Sequence, residues 1–285
     1  MNQLELKRKD SKSPMRVQER EGVPYLTFPS FEKLEGIRHG FSTRLGGVSR
    51  GYFSSLNLSF TRGDEEERVR ENFERIGKAM GFLTENLVFS HQTHTTHVQV
   101  VGKRERGCGF THPLPYQDVD GLVTGESGLV LTAFFADCVP LFFVDPKKRV
   151  IGLSHSGWRG TVGKIGRETI RVMKEEFGCD PKDILTGVGP SICQSCYEVS
   201  EDVISRFRQE FQECDWESLF YEKGEGKYQL NLWKANELVL LEAGITPAHI
   251  CITDICTCCN PNVLFSHRAS GGKRGNLAAF LELTR

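Results

Sequence analysis

The sequence contains no apolar run that approaches the roughly 18 residues of a transmembrane helix. It also lacks a dominant charge, because 36 Lys and Arg residues stand against 37 Asp and Glu residues and leave a net charge of −1. Bulk electrostatics therefore gives no reason to expect nucleic acid or an acidic membrane as a partner. The N-terminus has no apolar core of the signal-peptide kind. We therefore expect a protein of the reducing cytoplasm that binds neither nucleic acid nor a membrane.

The chain shows no internal repeat of fixed period and no linker between folded parts, which favours a single domain. Residues 1–22 are mostly charged and polar, and we expect a flexible tail there, ahead of a domain over residues 23–285. Within that domain, segments typical of strands and of helices alternate loosely. The pattern predicts an α/β (α+β layered) fold, with a mixed β-sheet core and flanking helices.

A β-hairpin is predicted where two short apolar runs, residues 139–144 and 149–154, flank an Asp-Pro turn. A turn centred between Pro146 and Lys147 would pair Val144 with Arg149 and place Cys138 directly opposite His155. Opposed residues of an antiparallel pair have Cβ atoms about 5 Å apart. A thiolate and an imidazole at that separation can share a metal ion or form a nucleophile–base pair. A slip of one residue would send the two side chains to opposite faces of the sheet.

Three histidines at a spacing of three residues precede this hairpin: His91, His94 and His97. Residues 95–101 are rich in β-branched side chains and favour a strand, on which a spacing of three alternates between faces. The three histidines therefore cannot all point at one metal, and the spacing does not show which of them faces inward. One of them could complete a zinc site with Cys138 and His155, and an open fourth position would make that site catalytic.

Ten cysteines in a reducing compartment are thiols or ligands rather than a disulfide framework. Cys193 and Cys196 have CxxC spacing, and a structural zinc site would need two more ligands from Cys256, Cys258 and Cys259. A redox CxxC normally opens a helix in a thioredoxin-like unit, and that context is missing. Nothing in the sequence directs the two groups towards each other, so we expect ordinary buried or partly exposed thiols.

A glycine-rich turn earlier in the chain is a candidate anion site. Arg44 lies beside Gly46 and Gly47, and backbone N–H groups with a guanidinium suit a phosphate. The alternative is a polar turn with an exposed arginine, and the local sequence favours neither.

Eight short motifs follow one another along the chain: His39-Gly-Phe-Ser-Thr-Arg44, Gly46-Gly-Val-Ser49, Ser55-Leu-Asn-Leu58, Gln92-Thr-His94, Ala136-Asp-Cys138, His155-Ser-Gly-Trp-Arg-Gly160, Gly189-Pro-Ser-Ile192 and Phe265-Ser-His-Arg268. Each motif alone is unspecific. The ordered set, over roughly residues 25–283, resembles the YfiH-like, laccase-domain family of purine nucleoside phosphorylases. The chain departs from the family pattern near its end, where Ala269 replaces the second Arg of the last motif.

The resemblance implies a layered α/β fold with a metal, usually zinc, held by His94, Cys138 and His155. It also implies phosphorolysis of adenosine, inosine and 5′-methylthioadenosine, with adenosine deamination as a further activity. The expected partners are therefore a small-molecule nucleoside and phosphate, in a monomer or a homodimer.

Within that resemblance, four residues are expected to act around the metal. Arg44 would hold phosphate as a catalytic and substrate-binding residue, and Asn57 would also bind substrate. Arg159 would assist with charge, and Asp137 would orient the surroundings of the metal.

Three other functions compete with this one. A copper-dependent polyphenol oxidase needs many histidines, usually in His-x-His pairs, whereas this chain has eight histidines and no such pair. A cysteine hydrolase would use Cys138 as nucleophile and His155 as base, without a metal. A non-catalytic binding protein would hold the zinc only for structure.

Overall fold

The architecture is that of a computed structural model, which describes residues 4–10 and 14–284. The described residues form fifteen strands, in chain order β1 (Arg16–Arg20), β2 (Val23–Thr27), β3 (Ile37–Ser42), β4 (Leu87–Phe89), β5 (Val98–Val100), β6 (Gly121–Thr124), β7 (Val130–Phe135), β8 (Val139–Asp145), β9 (Val150–Ser156), β10 (Leu185–Val188), β11 (Glu198–Ser200), β12 (Phe220–Gly224), β13 (Lys227–Leu230), β14 (Ile250–Ile252) and β15 (Leu277–Leu283). They also form eight α-helices: α1 (Pro29–Glu32), α2 (Glu66–Met80), α3 (Trp158–Val162), α4 (Ile165–Phe177), α5 (Glu201–Glu210), α6 (Trp216–Leu219), α7 (Leu232–Glu242) and α8 (His267–Ser270). In this described part, no helix is both long and apolar enough to cross a bilayer.

Two six-stranded sheets form the centre of the molecule. The first has the order β1-β2-β3-β15-β7-β4 and the second the order β14-β10-β8-β9-β6-β5, while β11, β13 and β12 form a small third sheet. Parallel and antiparallel pairs occur in both large sheets, since β4 runs parallel to β7 and β5 runs parallel to β6. The predicted mixed-sheet, single-domain α+β fold is therefore confirmed.

The two large sheets pack face to face, and helices cover their outer faces. Leu131 of β7 and Phe142 of β8 share one apolar core between the sheets. The next residue, Phe143, belongs to the core on the opposite face, beneath α4 and α7. Helix α2 covers the first sheet through a third core that includes Phe73. Strand β8 is buried on both faces, which explains why its sequence is a nearly continuous apolar run.

The predicted hairpin is present as β8 and β9, but its register differs by two residues from the expected one. Pro140, rather than Cys138, lies opposite His155. The turn is centred one residue later than expected, between Lys147 and Lys148, so that Asp145 pairs with Val150. In this turn Asp145 Oδ1 accepts the backbone N–H groups of Lys147 and Lys148, each at 2.9 Å. The shift is an even number of residues, so Cys138 and His155 remain on the same face of the sheet.

Part of the segment that was predicted to be a flexible tail belongs to the folded domain. Strand β1 lies inside residues 1–22 and pairs along its whole length with β2. Before it, the Lys7 backbone N–H donates to Asn260 Oδ1, and Arg8 forms an ion pair of 2.8 Å with Asp254. Residues 1–3 and 11–13 of the predicted tail lie outside the described residues. The boundary at residue 23 is corrected, because the first sheet already includes residues 16–20.

Candidate functional site

Three side chains from separate parts of the chain meet at one end of the second sheet. His155 lies on β9, Cys138 directly precedes β8, and His94 lies in an irregular segment before β5. Their ligand atoms all lie within 4.8 Å of one another, and the Cys138 Sγ is 4.0 Å from His94 Nε2. His155 is buried, Cys138 is half-buried and His94 is exposed. The arrangement offers two imidazole nitrogens and one thiol to a single ion.

Backbone geometry explains how the three side chains approach each other. Gly157 lies beside the cluster, and a Cβ there would be 2.9 Å from His94 Cδ2 and 3.1 Å from Cys138 Sγ. Asp137 and His94 both have left-handed backbone angles, with φ of 92° and 67°. The strand that was expected over residues 95–101 is confined to Val98–Val100, so His94 is free to take this turn conformation.

Asp120 holds two of the three side chains in place, and sequence reasoning missed it. Its Oδ1 accepts a 2.8 Å hydrogen bond from His155 Nδ1, which leaves Nε2 of that ring for an ion. Its carboxylate also accepts the backbone N–H groups of Thr93, His94 and Thr95, at 2.9–3.1 Å. The available signal was the Asp120-Gly121 pair, directly ahead of the short run Leu-Val-Thr124.

Cys138 and His155 shift each other's protonation. Burial alone raises the pKa of the Cys138 thiol, but His155, and then His94, outweigh it and lower that pKa to about 6. Burial alone lowers the pKa of His155, whereas the Cys138 thiolate and the hydrogen bond to Asp120 raise it to about 9. In metal-free protein the pair is therefore thiolate and imidazolium at neutral pH. The thiolate is the form of sulfur that binds a metal or attacks as a nucleophile, whereas His155 must release a proton to become a ligand.

In metal-free protein, we expect iodoacetamide to alkylate Cys138 with a pH midpoint of about 6, whereas a free cysteine has a midpoint of about 8.5. Acidification below this midpoint protonates the thiolate and slows the reaction. Peptide mass spectrometry after timed exposures between about pH 5 and 9 measures the rate at this cysteine separately. In His155→Ala, loss of the imidazolium should move the midpoint upwards, and an unchanged midpoint would contradict the pairing.

The three side chains open into a cavity of about 590 Å³, a size typical of small-molecule sites. One wall is apolar and contains Phe89, Phe134 and Phe135. Two cations, Arg62 and Arg274, also line the cavity. It can therefore hold a planar apolar group and an anion together.

Arg274 is the better placed of the two cations. Burial, and then repulsion by Arg62, lowers the pKa of Arg274 to about 10, so the side chain stays positive at neutral pH. Its NH1 donates to the Gly275 carbonyl and to Asn276 Oδ1, whereas its buried Nε has no acceptor among the described residues. No local pattern predicted this role, because Arg274 approaches the cluster only through the return of β15 between β3 and β7.

Two residues expected to bind substrate, Arg44 and Asn57, do not line this cavity, and their contact with substrate stays a prediction. The Arg44 guanidinium donates to the backbone carbonyls of Ser54 and Pro261, at 2.8 and 2.7 Å, and stacks on Phe265. These hydrogen bonds therefore connect the loop that contains Ser54 with the loop that contains Pro261. Asn57 is fully buried, where its Oδ1 accepts the backbone N–H groups of Ser59 and Asn276. Since Ser59 and Asn276 do line the cavity, Asn57 acts on it only indirectly.

The other two residues expected to be catalytic also lie outside the cavity lining. Arg159 is exposed on α3 and its guanidinium stacks over Trp158. Asp137 is buried, and its carboxylate accepts Thr257 Oγ1 at 2.6 Å and the Arg268 backbone N–H at 2.7 Å. It therefore fixes the backbone next to Cys138, as an orienting residue would, and contacts none of the three clustered side chains by hydrogen bond.

A second cluster corrects the expectation that the CxxC cysteines are unrelated to the C-terminal ones. The sulfur atoms of Cys193, Cys196, Cys256 and Cys259 lie within 4.8 Å of one another. Cys258 is not part of the group. The sequence separation between the pairs hid this proximity, which depends on the parallel pairing of β10 with β14.

Known proteins share both the sequence and the fold. Residues 38–284 match the family described as multi-copper polyphenol oxidoreductase laccase. The chain is 37% identical over 243 residues to the purine nucleoside phosphorylase YlmD of Bacillus subtilis (strain 168), which covers 85% of this chain and 87% of that protein. It is 33% identical over 246 residues to adenosine deaminase RL5 from an unknown prokaryotic organism, with coverage of 86% and 93%.

The crystal structure of the hypothetical protein YfiH from Bacillus licheniformis is also similar, with a TM-score of 0.88 at 31% identity. The similarity covers 95% of this chain and 99% of that one. Because sequence and fold agree over almost the whole domain, the family membership that the ordered motifs predicted is confirmed: the chain belongs to the laccase-domain family that includes YlmD and YfiH.

Proposed function

We propose that the chain is a zinc-dependent purine nucleoside phosphorylase that acts on adenosine, inosine and 5′-methylthioadenosine, with adenosine deamination as a second activity. Its relatives carry the names of both activities. The observation that carries the proposal is the His94, Cys138 and His155 cluster, which opens into a cavity that also contains Arg62 and Arg274.

The donor set fits zinc. Two imidazole nitrogens and one thiolate are ligands that zinc prefers, and three protein ligands with one open position are typical of catalytic zinc. The cluster lines the cavity, so an open position can face a substrate. When bound, zinc would supply positive charge that polarises a substrate oxygen or lowers the pKa of a bound water.

The cavity residues can bind both substrates of a phosphorolysis. Phe89, Phe134 and Phe135 offer a surface for the purine base, and Arg274 with Arg62 offers charge-assisted donors to phosphate. In the reaction a phosphate oxygen forms a bond to the sugar carbon C1′. The bond from C1′ to the base breaks, and the base leaves with the electron pair and takes up a proton. The residues therefore accelerate the reaction mainly by holding nucleophile and nucleoside together.

A cysteine hydrolase is the second candidate. In it Cys138 would be the nucleophile and His155, which pairs with it, the base. Asp120, which accepts from His155 Nδ1, would orient that base. A bound metal would occupy the thiolate and prevent this chemistry. The copper oxidase that the family description names has less support. In the described part of the chain, the groups that could hold a metal include only two histidines, His94 and His155.

The deciding experiment measures base release and metal content on protein purified without a metal-affinity tag. We expect free base to appear from inosine only when phosphate is present, to stop after chelation, and to return with added zinc. Turnover by metal-free protein that is blocked by alkylation of Cys138 would overturn the proposal in favour of the hydrolase. Several coppers per chain together with oxidation of phenols would overturn it in favour of the oxidase.

Replacing Arg274 with alanine should raise the KM for phosphate about 10- to 100-fold, because a charge-assisted hydrogen bond contributes about 1.5–3 kcal/mol. The KM for inosine should change much less. Steady-state kinetics with each substrate varied in turn measures the two effects. Lys273→Ala is the matched control, since Lys273 is its exposed neighbour and does not line the cavity. Equal effects of both variants on the phosphate KM would contradict this role.

A further inference from the structure

Four cysteines outside the cavity form a cluster that the proposed reaction does not use. Their spacing is CxxC twice, at Cys193 and Cys196 and again at Cys256 and Cys259. Paired CxxC segments that meet in space are the usual ligand pattern of structural zinc. The first cysteine of each pair, Cys193 and Cys256, is buried, and the second is half-buried.

The local backbone resembles the tight turns that present two sulfurs to one ion. The backbone N–H of Cys196 and that of Tyr197 both donate to the Cys193 carbonyl, at 3.0 and 3.1 Å, and residues 194–196 form a short 3-10 turn. The Cys193 N–H donates to Cys256 Sγ at 3.2 Å. An N–H group that points at a cysteine sulfur stabilises its thiolate form, which is the form that binds metal.

The sulfur separations suit one shared ion. With Zn–S bonds of about 2.3 Å in a tetrahedron, neighbouring sulfurs lie roughly 3.8 Å apart. Cys196 Sγ and Cys259 Sγ are 3.5 Å apart, and all four sulfurs lie within 4.8 Å of one another. All four cysteines are free thiols, and the 3.5 Å between Cys196 Sγ and Cys259 Sγ exceeds the about 2.05 Å of a disulfide bond.

We propose that Cys193, Cys196, Cys256 and Cys259 bind one zinc ion as a closed tetrathiolate site, distinct from the His94, Cys138 and His155 cluster. Binding releases four protons, one from each thiol, and breaks or forms no carbon–sulfur or sulfur–sulfur bond. The resulting centre carries two negative charges. The Lys9 ammonium lies next to it, where it donates to Ser195 Oγ at 3.2 Å and can offset part of this charge.

The proposed zinc would join two loops that support the other cluster. Cys196 and Cys259 are 63 residues apart in sequence. The first loop donates the Ile192 N–H to the Asp137 carbonyl at 3.0 Å, and the second donates Thr257 Oγ1 to the Asp137 carboxylate at 2.6 Å. Asp137 directly precedes Cys138. The tetrathiolate site therefore fixes, through two loops, the backbone that presents Cys138 to the cavity.

The test is zinc stoichiometry by inductively coupled plasma mass spectrometry, on wild type, Cys138→Ala, Cys259→Ser and Cys258→Ser. We expect two zinc ions per chain in wild type and one in Cys138→Ala. Cys259→Ser should retain one at most, and the matched control Cys258→Ser should retain two, because Cys258 lies outside the four-sulfur group. The melting temperature of Cys259→Ser should fall by roughly 10 °C or more, because structural zinc contributes directly to folding.

A measurement on protein with all four cysteines intact covers the case in which Cys259→Ser fails to fold. In Cys138→Ala, a mercurial that titrates thiolates should release one zinc as four sulfurs react, and cobalt added in place of zinc should give the intense visible absorption of tetrahedral cobalt thiolate. Cys138→Ala protein that holds no zinc and shows no such absorption would overturn the proposal. A Cys196–Cys259 disulfide in freshly purified protein would also overturn it.

These outcomes separate the present inference from the proposed function. A single zinc that is lost only in Cys138→Ala would leave the phosphorylase intact and remove the tetrathiolate site. A single zinc that is lost only in Cys259→Ser would support the tetrathiolate site and remove the zinc mechanism.

Discussion

Replacing Cys138 with alanine should lower kcat/KM for phosphorolysis of inosine by about 1,000-fold or more. The substitution removes the one thiolate of the cluster and leaves two histidines, and a catalytic zinc normally needs three protein ligands. A bound metal contributes several kcal/mol of charge stabilisation, and each 1.36 kcal/mol is worth about tenfold in rate. Kinetics and metal analysis on the same preparation measure both consequences. Cys251→Ala is the matched control, since Cys251 is also half-buried but belongs to the core between the sheets.

The alanine variant alone does not separate a metal ligand from a nucleophile, because both functions would be lost. Cys138→His makes that distinction, since an imidazole can replace a thiolate as a zinc ligand but cannot replace sulfur as the attacking atom of a cysteine hydrolase. We expect Cys138→His to regain part of the zinc and part of the activity that Cys138→Ala lacks. A histidine variant with bound zinc and activity no higher than that of Cys138→Ala would contradict the zinc mechanism.

The hairpin shows how much of the site follows from local sequence. Two apolar runs around an Asp-Pro turn were sufficient to predict β8 and β9 and to place Cys138 and His155 on one face. The register differed because the turn, in which the Asp145 side chain accepts two backbone N–H groups, is centred one residue later than expected. Alternation along a strand has a period of two, so an error of two residues left the functional inference intact.

Residues whose roles depend on distant contacts could not be predicted in the same way. The motif around Arg44 suggested an anion site, but its Nε and NH1 donate to the carbonyls of Ser54 and Pro261, and the side chain does not line the cavity. The same limitation hid Arg274, which reaches the cavity from the opposite end of the chain. Local spacing reveals which residue types are available. Sheet topology decides which of them share a site.

The two CxxC pairs also show that local sequence does not predict contacts between distant segments. Each pair was recognisable by spacing, and the absence of a thioredoxin-like context argued correctly against that redox fold. What brings the pairs together is the parallel register of β10 and β14, which continues as a bridge between Ser191 and Cys256. Parallel neighbours that are distant in sequence leave no local pattern, so this proximity could only come from the structure.

Replacing Asp120 with asparagine should weaken zinc binding at the His94, Cys138 and His155 cluster by about 10- to 100-fold, as expected when a carboxylate that orients a ligating histidine is lost. Asp120 is fully buried and acts only as an acceptor towards His155 Nδ1 and three backbone N–H groups. An asparagine has the same shape, but an NH2 donor replaces one of the two acceptor oxygens. At least one of these N–H groups would therefore face another donor. Competition with a chromophoric chelator measures the affinity.

The same substitution should lower the free energy of unfolding of metal-free protein by about 3 kcal/mol at pH 7, because it leaves buried polar groups unpaired. Burial alone raises the pKa of Asp120, but hydrogen bonds from His155 and from the backbone of residues 93 and 95 lower it below the usual 3.8. A lowered pKa means that the carboxylate contributes its full stability above about pH 4 and loses it as the pH falls through the folded-state value. The stability difference between wild type and Asp120→Asn should therefore shrink in acid, as measured by urea unfolding with a chelator present.

Asp118→Asn is the matched control, since Asp118 is an exposed neighbour that accepts Thr93 Oγ1. If the two variants have equal zinc affinity and equal stability, Asp120 does not organise the cluster.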